Sequence, residues 1–141
     1  MDLDRFVVAQ DEHATYDRAL SELRAGRKTS HWMWFVFPQV SGLGQSPTAK
    51  HFELADLDEA RAYLDHEVLG PRLLECCRAL LALEGATAEQ VLGAVDAMKL
   101  RSSMTLFLRA AGGPAGGGTT FDAVLARFFD GQPDEATDAR I

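Results

Sequence analysis

The stretch from Ser30 to Gln39 constrains the fold more than any other part of the chain. Its sequence is Ser-His-Trp-Met-Trp-Phe-Val-Phe-Pro-Gln, and it holds both tryptophans of the protein. Ser30 can cap a helix that begins at His31, and Pro38 disfavours its continuation, so a helix here has about two turns at most. A strand would be apolar on both faces and would need partner strands, which no other segment supplies. We therefore expect a short helix or an extended segment buried in the core.

The composition is that of a single soluble domain. Of the 141 residues, 47% are hydrophobic and 25% are charged, and a chain of this length can fold without disulfides or structural metals. The net charge of −7 argues against binding of duplex nucleic acid, which requires clustered cations. The first residues do not resemble a signal peptide, and no apolar run is long enough to span a bilayer. The sequence thus predicts a cytoplasmic protein that binds neither duplex nucleic acid nor a membrane.

Helical periodicity predicts an all-α fold of about six to eight helices in one domain over residues 1–141. Residues 2–24 carry an apolar stripe, as one helix or two, and the pattern ends at Ala25-Gly26. Further helices are predicted over residues 47–54, 56–65, 68–83, from Thr87 with Gln90 as a capping box, over 96–108 and over 121–129.

Three features are predicted to be structural or accessory. The adjacent Cys76 and Cys77 lie in an apolar helical pattern where a mutual disulfide is awkward, so they are expected to be buried thiols. The glycine-rich residues 112–118 are predicted to form a flexible loop, an insertion in preference to a lid. The acidic residues 133–141 are predicted to form a loose tail.

Polar residues near the aromatic stretch form the candidate ligand site. The loop from Val40 to Ser46 precedes a helix start, where free N–H groups favour an anion, although it lacks the pattern of a dinucleotide fingerprint or a P-loop. In the helix over 96–108, Lys99 and Ser103 lie on one polar stripe. The predicted ligand-binding residues are Trp32, Trp34, Gln39, Gly42, Gly44, Ser46, Lys99, Ser102 and Ser103.

Two hypotheses for function follow. In the first, a cleft between residues 31–46 and 96–107 binds a small anionic ligand similar to a nucleotide or ADP-ribose, with a tryptophan stacked on its ring and Lys99 on its anionic group. If the site also hydrolyses this ligand, His31 is the acid or base and Asp96 the carboxylate. In the second, the protein is a non-enzymatic interaction module whose conspicuous residues are structural. The four histidines lie on separate elements, so neither a metal site nor a cofactor is predicted.

Several short sequence segments together resemble one bacterial family, the domain-of-unknown-function family 1810. They are Arg5–Val7, His31–Gln39, Gly42–Gly44 with Ser46, Tyr63-Leu64 through Leu69-Gly70, Lys99-Leu100 with Ser102–Phe107, and Phe128-Phe129. The resemblance covers nearly the whole chain in order and implies a mainly helical fold like that of a mycobacterial member, with no established activity. Some members are labelled calpastatin, but this chain has no repeated inhibitor segments. The glycine-rich loop between Ala111 and Thr119 is a local departure from the family pattern.

Overall fold

The computed structural model describes residues 2–141, which form helices joined mostly by short loops. In chain order these are α1 (Asp4–Asp11), α2 (Thr15–Ala25), α3 (Met33–Val36), α4 (Pro47–Phe52), α5 (Leu57–Asp65), α6 (Leu69–Leu81), α7 (Ala88–Leu92), α8 (Ala94–Ala110), α9 (Thr119–Phe129) and α10 (Glu135–Asp138). The described residues include no strand, only an isolated parallel bridge between Val40 and Leu54. The all-α prediction is confirmed, and helices of one or two turns raise the number above the predicted six to eight.

The break between α1 and α2 settles whether residues 2–24 form one helix or two. His13 and Ala14 have positive φ angles of 54° and 55°, a left-handed conformation that interrupts a right-handed helix. The second helix ends as predicted, because Gly26 adopts φ 75° and its N–H bonds back to the carbonyls of Glu22 and Leu23.

Two long helices organise the packing. The helix α8 packs against α5, α7, α9 and α10, while α6 packs against α2, α5 and α9. Both cysteines face this core from α6, and they are buried and not bonded to each other, as predicted. Burial raises the pKa of the Cys76 thiol to about 12 and that of Cys77 well above its usual value. These thiols are therefore protonated packing groups rather than nucleophiles.

The aromatic stretch forms the single-turn helix α3, buried as expected. Trp32, Met33, Val36 and Phe37 expose at most 2% of their surface. Such a short helix leaves backbone N–H and C=O groups without partners inside the helix. The carbonyl of Phe35 is one of these groups, and it accepts a hydrogen bond at 2.8 Å from Nε2 of the buried Gln10 in α1. None of the described helices has the length and apolar character needed to cross a membrane.

A buried carboxylate fixes the entry to the aromatic stretch. Glu22 Oε1 accepts hydrogen bonds from the N–H groups of Thr29 at 2.8 Å and Ser30 at 3.0 Å and from the indole Nε1–H of Trp32 at 2.9 Å. Its Oε2 accepts from the Ser30 hydroxyl at 2.6 Å. Burial alone would raise the pKa of Glu22, but the hydrogen bonds from Ser30, Thr29 and Trp32 outweigh it and lower the pKa to about 2.

The tail predicted to be loose is docked on α8. Arg101 donates to the carbonyls of Gln132 at 2.8 Å and Pro133 at 2.9 Å, and Arg109 forms two hydrogen bonds with the carboxylate of Asp138 at 3.0 and 3.1 Å. Thr137 is fully buried. The prediction was wrong because the partners of this segment, Arg101 and Arg109, lie about 30 positions earlier in the chain, where no local pattern reveals them.

The glycine-rich loop is closed on itself by backbone hydrogen bonds. The N–H of Gly113 bonds to the Leu108 carbonyl, and that of Gly118 bonds to the Gly113 carbonyl. At Gly116 a Cβ atom would lie 2.1 Å from the Ala111 carbonyl oxygen, so this close approach requires glycine.

Replacing Glu22 by Gln should lower the free energy of unfolding at pH 7 by up to about 3 kcal/mol, since the folded state lowers this pKa from 4.5 to about 2. Because the folded-state pKa is the lower one, the contribution is complete above about pH 5 and is lost as the pH falls towards 2. Urea denaturation from pH 7 down to pH 2 should therefore show the wild-type and Glu22→Gln stabilities converging. The exposed Glu84 provides the control, and Glu84→Gln should follow the wild type. A stability difference that does not vary with pH would contradict the assignment.

Candidate functional site

A surface cleft joins the two sequence segments predicted to form the ligand site. It has a volume of about 460 Å³, within the range of small-molecule sites. Six of the predicted ligand-binding residues line it, namely Trp34, Gln39, Gly44, Ser46, Lys99 and Ser102. The first four belong to the aromatic stretch and the loop after it, and the last two belong to α8.

One wall is the loop that leads into α4. Ser46 caps this helix by accepting a hydrogen bond from the Ala49 N–H at 3.1 Å, and Pro47 is its first residue, as predicted. Gly44 lies so close to α4 that an added Cβ would approach the Ala49 Cβ to 2.4 Å. Only glycine permits this approach, which brings the loop backbone against the cleft.

The opposite wall carries the cation of the site. Lys99 Nζ lies 5.1 Å from the centre of the Trp34 ring, in a cation–π contact. It is also 3.7 Å from Asp96 Oδ1, a long ion pair, and its side chain is 25% exposed. The ammonium group is therefore held near the cleft by two weak contacts and remains accessible to a ligand.

Asp96 is bound more closely by a second lysine. Lys28 Nζ lies 2.9 Å from Asp96 Oδ2, its side chain is only 8% exposed, and it contacts the face of Trp32 at 5.1 Å. Each tryptophan thus has a lysine against its ring, and one carboxylate joins the two lysines. Asp96 contacts Lys99, which lines the cleft, but does not line the cleft itself.

Four other predicted residues are also placed outside the cleft. Trp32 is fully buried with its indole N–H bonded to Glu22, so it cannot stack on a ligand. His31 is exposed but does not line the cleft. Gly42 lies under the side chain of Arg140, and Ser103 is fully buried with an Oγ that has no hydrogen-bond partner in the described part of the chain.

The cleft also contains residues that the sequence analysis did not identify. They are Leu43, Gln45, Ala49, Val95, Met98, Asp134 and Ala136. The last two come from the docked C-terminal segment, which carries a carboxylate to the site. The local sequence could have identified Asp134 as the N-cap residue of α10, because Asp is typical at that position. It could not have placed Asp134 at the cleft, because the contact with Ser102 joins positions 32 apart.

The two lysines should differ in their effect on stability. Lys28→Met breaks the shorter and more buried ion pair and leaves Asp96 with only its long contact, so we expect a loss of about 2 kcal/mol. Lys99→Met removes a partly exposed charge with a long ion pair and should cost less than about 1 kcal/mol. Chemical denaturation of the two matched variants measures the difference. Equal losses would show that Lys99 is a structural residue like Lys28 rather than a group free to contact a ligand.

Comparison with known proteins gives a family and a structural relative. The profile of the family described as "Protein of unknown function (DUF1810)" matches residues 1–141. The crystal structure of the conserved hypothetical protein Rv1873 from Mycobacterium tuberculosis is similar to this chain, with 48% identity and a TM-score of 0.92 over 98% of this chain and 94% of that one. No curated protein matches. The predicted family is thus confirmed, and the chain belongs to the DUF1810 family.

Proposed function

We propose that the protein binds a small anionic ligand, similar to a nucleotide or to ADP-ribose, in the cleft between the 39–46 loop and α8. The observation that carries the proposal is the joining of Trp34 and Lys99 with Gln39 and Ser102 in one cavity. Trp34 offers an aromatic face, Lys99 a positive charge, and the other two offer hydrogen-bonding groups. These are the groups that a ring with an attached phosphate requires.

The two contacts of Lys99 suggest how a ligand would enter. The ammonium group now lies against the Trp34 ring and beside Asp96. An anionic group in the cleft offers it a stronger partner than the ring, because a charge-assisted hydrogen bond exceeds an exposed cation–π contact, and a closer partner than Asp96 Oδ1 at 3.7 Å. Movement of Lys99 towards that anion would free the indole face for the ring of the ligand.

The proposal covers binding and not hydrolysis. His31 and Asp96 were predicted as an acid–base pair, but neither lines the cleft, and Asp96 is paired with Lys28. A general acid or base must come within hydrogen-bonding reach of the reacting atom.

We further propose that the protein functions in a bacterial cytoplasm, which its two unpaired, buried cysteines and its bacterial relative support.

A second candidate function is an interaction module. It is favoured by the exposed apolar side chains of Val95 and Met98, which are 68% and 72% exposed on α8 at the edge of the cleft. Such residues also mark surfaces that contact other proteins. The concave site beside them and the accessible Lys99 favour the small ligand.

Thermal-shift measurements test the proposal. We expect at least one compound in a panel of nucleotides, NAD-related compounds and sugar phosphates to raise the melting temperature, because a ligand at a hundred times its Kd adds about 2.7 kcal/mol. Trp34→Ala and Lys99→Ala should each reduce this shift. Lys50→Ala, which removes an exposed lysine of α4 that does not line the cleft, should leave it unchanged.

Two results would contradict the proposal. If no compound of the panel stabilises the wild-type protein, the nucleotide-like ligand is excluded. If Lys99→Ala and Lys50→Ala reduce the shift equally, the compound binds outside the cleft.

A further inference from the structure

The carboxylate of Asp134 is held firmly in place at the wall of the cleft. Its Oδ2 accepts three hydrogen bonds, from the Ser102 hydroxyl at 2.9 Å, from the Thr137 hydroxyl at 2.6 Å and from the Thr137 N–H at 3.1 Å. The backbone N–H of Asp134 donates to Thr105 Oγ1 at 2.8 Å. The side chain and the main chain of this residue are therefore both anchored, and α8 contributes a hydrogen bond to each.

The two oxygens of this carboxylate differ in their hydrogen bonding. The three hydrogen bonds from Ser102 and Thr137 all end at Oδ2, whereas Oδ1 accepts no hydrogen bond from any residue between 2 and 141. An ionised carboxylate accepts at both oxygens, so Oδ1 keeps its full capacity to accept. Because Asp134 lines the cleft, this capacity is available to a molecule bound there.

The charges around the cleft restrict what that molecule can be. Lys99 and Asp134 are the two charged residues among those that line it. An anionic group is attracted to Lys99 and repelled by Asp134, so it binds at the lysine side. The part of the ligand near Asp134 must instead donate a hydrogen bond.

We infer that Asp134 determines specificity by accepting a hydrogen bond from a hydroxyl group of the ligand, which makes the ligand a hydroxylated ring compound with one anionic group, such as a ribonucleoside monophosphate. This inference rests on the proposed function, because it assigns the ligand class for the same cleft. A preorganised acceptor gives strong discrimination, since a ligand without the donor leaves a desolvated carboxylate oxygen unpaired. A hydrogen bond to a charged group corresponds to a change in affinity of about tenfold or more.

Titration calorimetry with adenosine 5′-monophosphate and its 2′,3′-dideoxy analogue tests the inference. Wild-type protein should bind the hydroxylated nucleotide about tenfold or more tightly. Asp134→Asn should lower the ratio at least about threefold, because the amide turns its oxygen to Ser102 and Thr137 and its NH₂ group can form only a neutral hydrogen bond with the hydroxyl, which is weaker than one to a charged acceptor. Lys99→Ala should weaken both nucleotides and preserve the ratio.

The matched control is Asp138→Asn. It makes the same chemical change in α10, weakens the contact with Arg109 that docks this helix, and alters no residue that lines the cleft. It should retain the wild-type ratio, which separates loss of the Asp134 acceptor from loosening of α10. Circular dichroism and thermal melting check that all variants remain folded.

The outcomes separate this inference from the proposed function. Equal binding of the two nucleotides by wild-type protein, or a ratio that survives Asp134→Asn, overturns the role of Asp134 and leaves ligand binding intact. Failure of the wild-type protein to bind either nucleotide overturns the ligand class assigned here, and failure with every compound of the thermal-shift panel overturns the proposed function as well.

Discussion

The buried carboxylate of Glu22 is the interaction on which the rest of the structure depends. It gathers donors from the turn after α2 and from the indole of Trp32, so it fixes where the aromatic stretch enters the core. A four-residue helix is too short to be stable alone, and α3 keeps its position only because neighbouring elements satisfy its polar groups and cover its apolar ones. The same constraint sets the direction of Trp34, which lies two residues beyond Trp32 and reaches the surface cleft.

The lysine–tryptophan pairs show how a structural feature becomes a candidate site. Lys28 and Trp32 are buried against each other, and the ion pair of Lys28 with Asp96 joins the segment before the aromatic stretch to α8. Lys99 and Trp34 repeat the arrangement at the surface with a longer ion pair and greater exposure. Burial makes the two ion pairs chemically different, because a desolvated charge must keep its partner, whereas a partly hydrated one can exchange it.

Sequence reasoning recovered much of the candidate site and missed a defined part of it. Trp34, Lys99 and the Ser46 cap were identifiable because each belongs to a local pattern of aromatic residues, helical spacing or helix-start chemistry. The sequence does not distinguish Trp32 from Trp34, because both lie in the same apolar segment. What sets Trp32 apart is the hydrogen bond of its indole N–H to Glu22. Asp134 was missed for a different reason: it was assigned to a loose acidic tail, and its position depends on contacts with Ser102 and Thr105 in α8.

The sequence by itself determined the helical periodicity, the capping box of α7, the glycine at the end of α2 and the burial of the aromatic stretch, because these follow from interactions between residues a few positions apart or from hydrophobicity alone. The family was also evident from the order of its strings. Only the tertiary structure decided which tryptophan is accessible, which lysine lines the cleft, and that the C-terminal segment forms a wall of the cleft. Those outcomes depend on hydrogen bonds and ion pairs between distant positions, whose geometry is set by the packing of α8 and not by any local pattern.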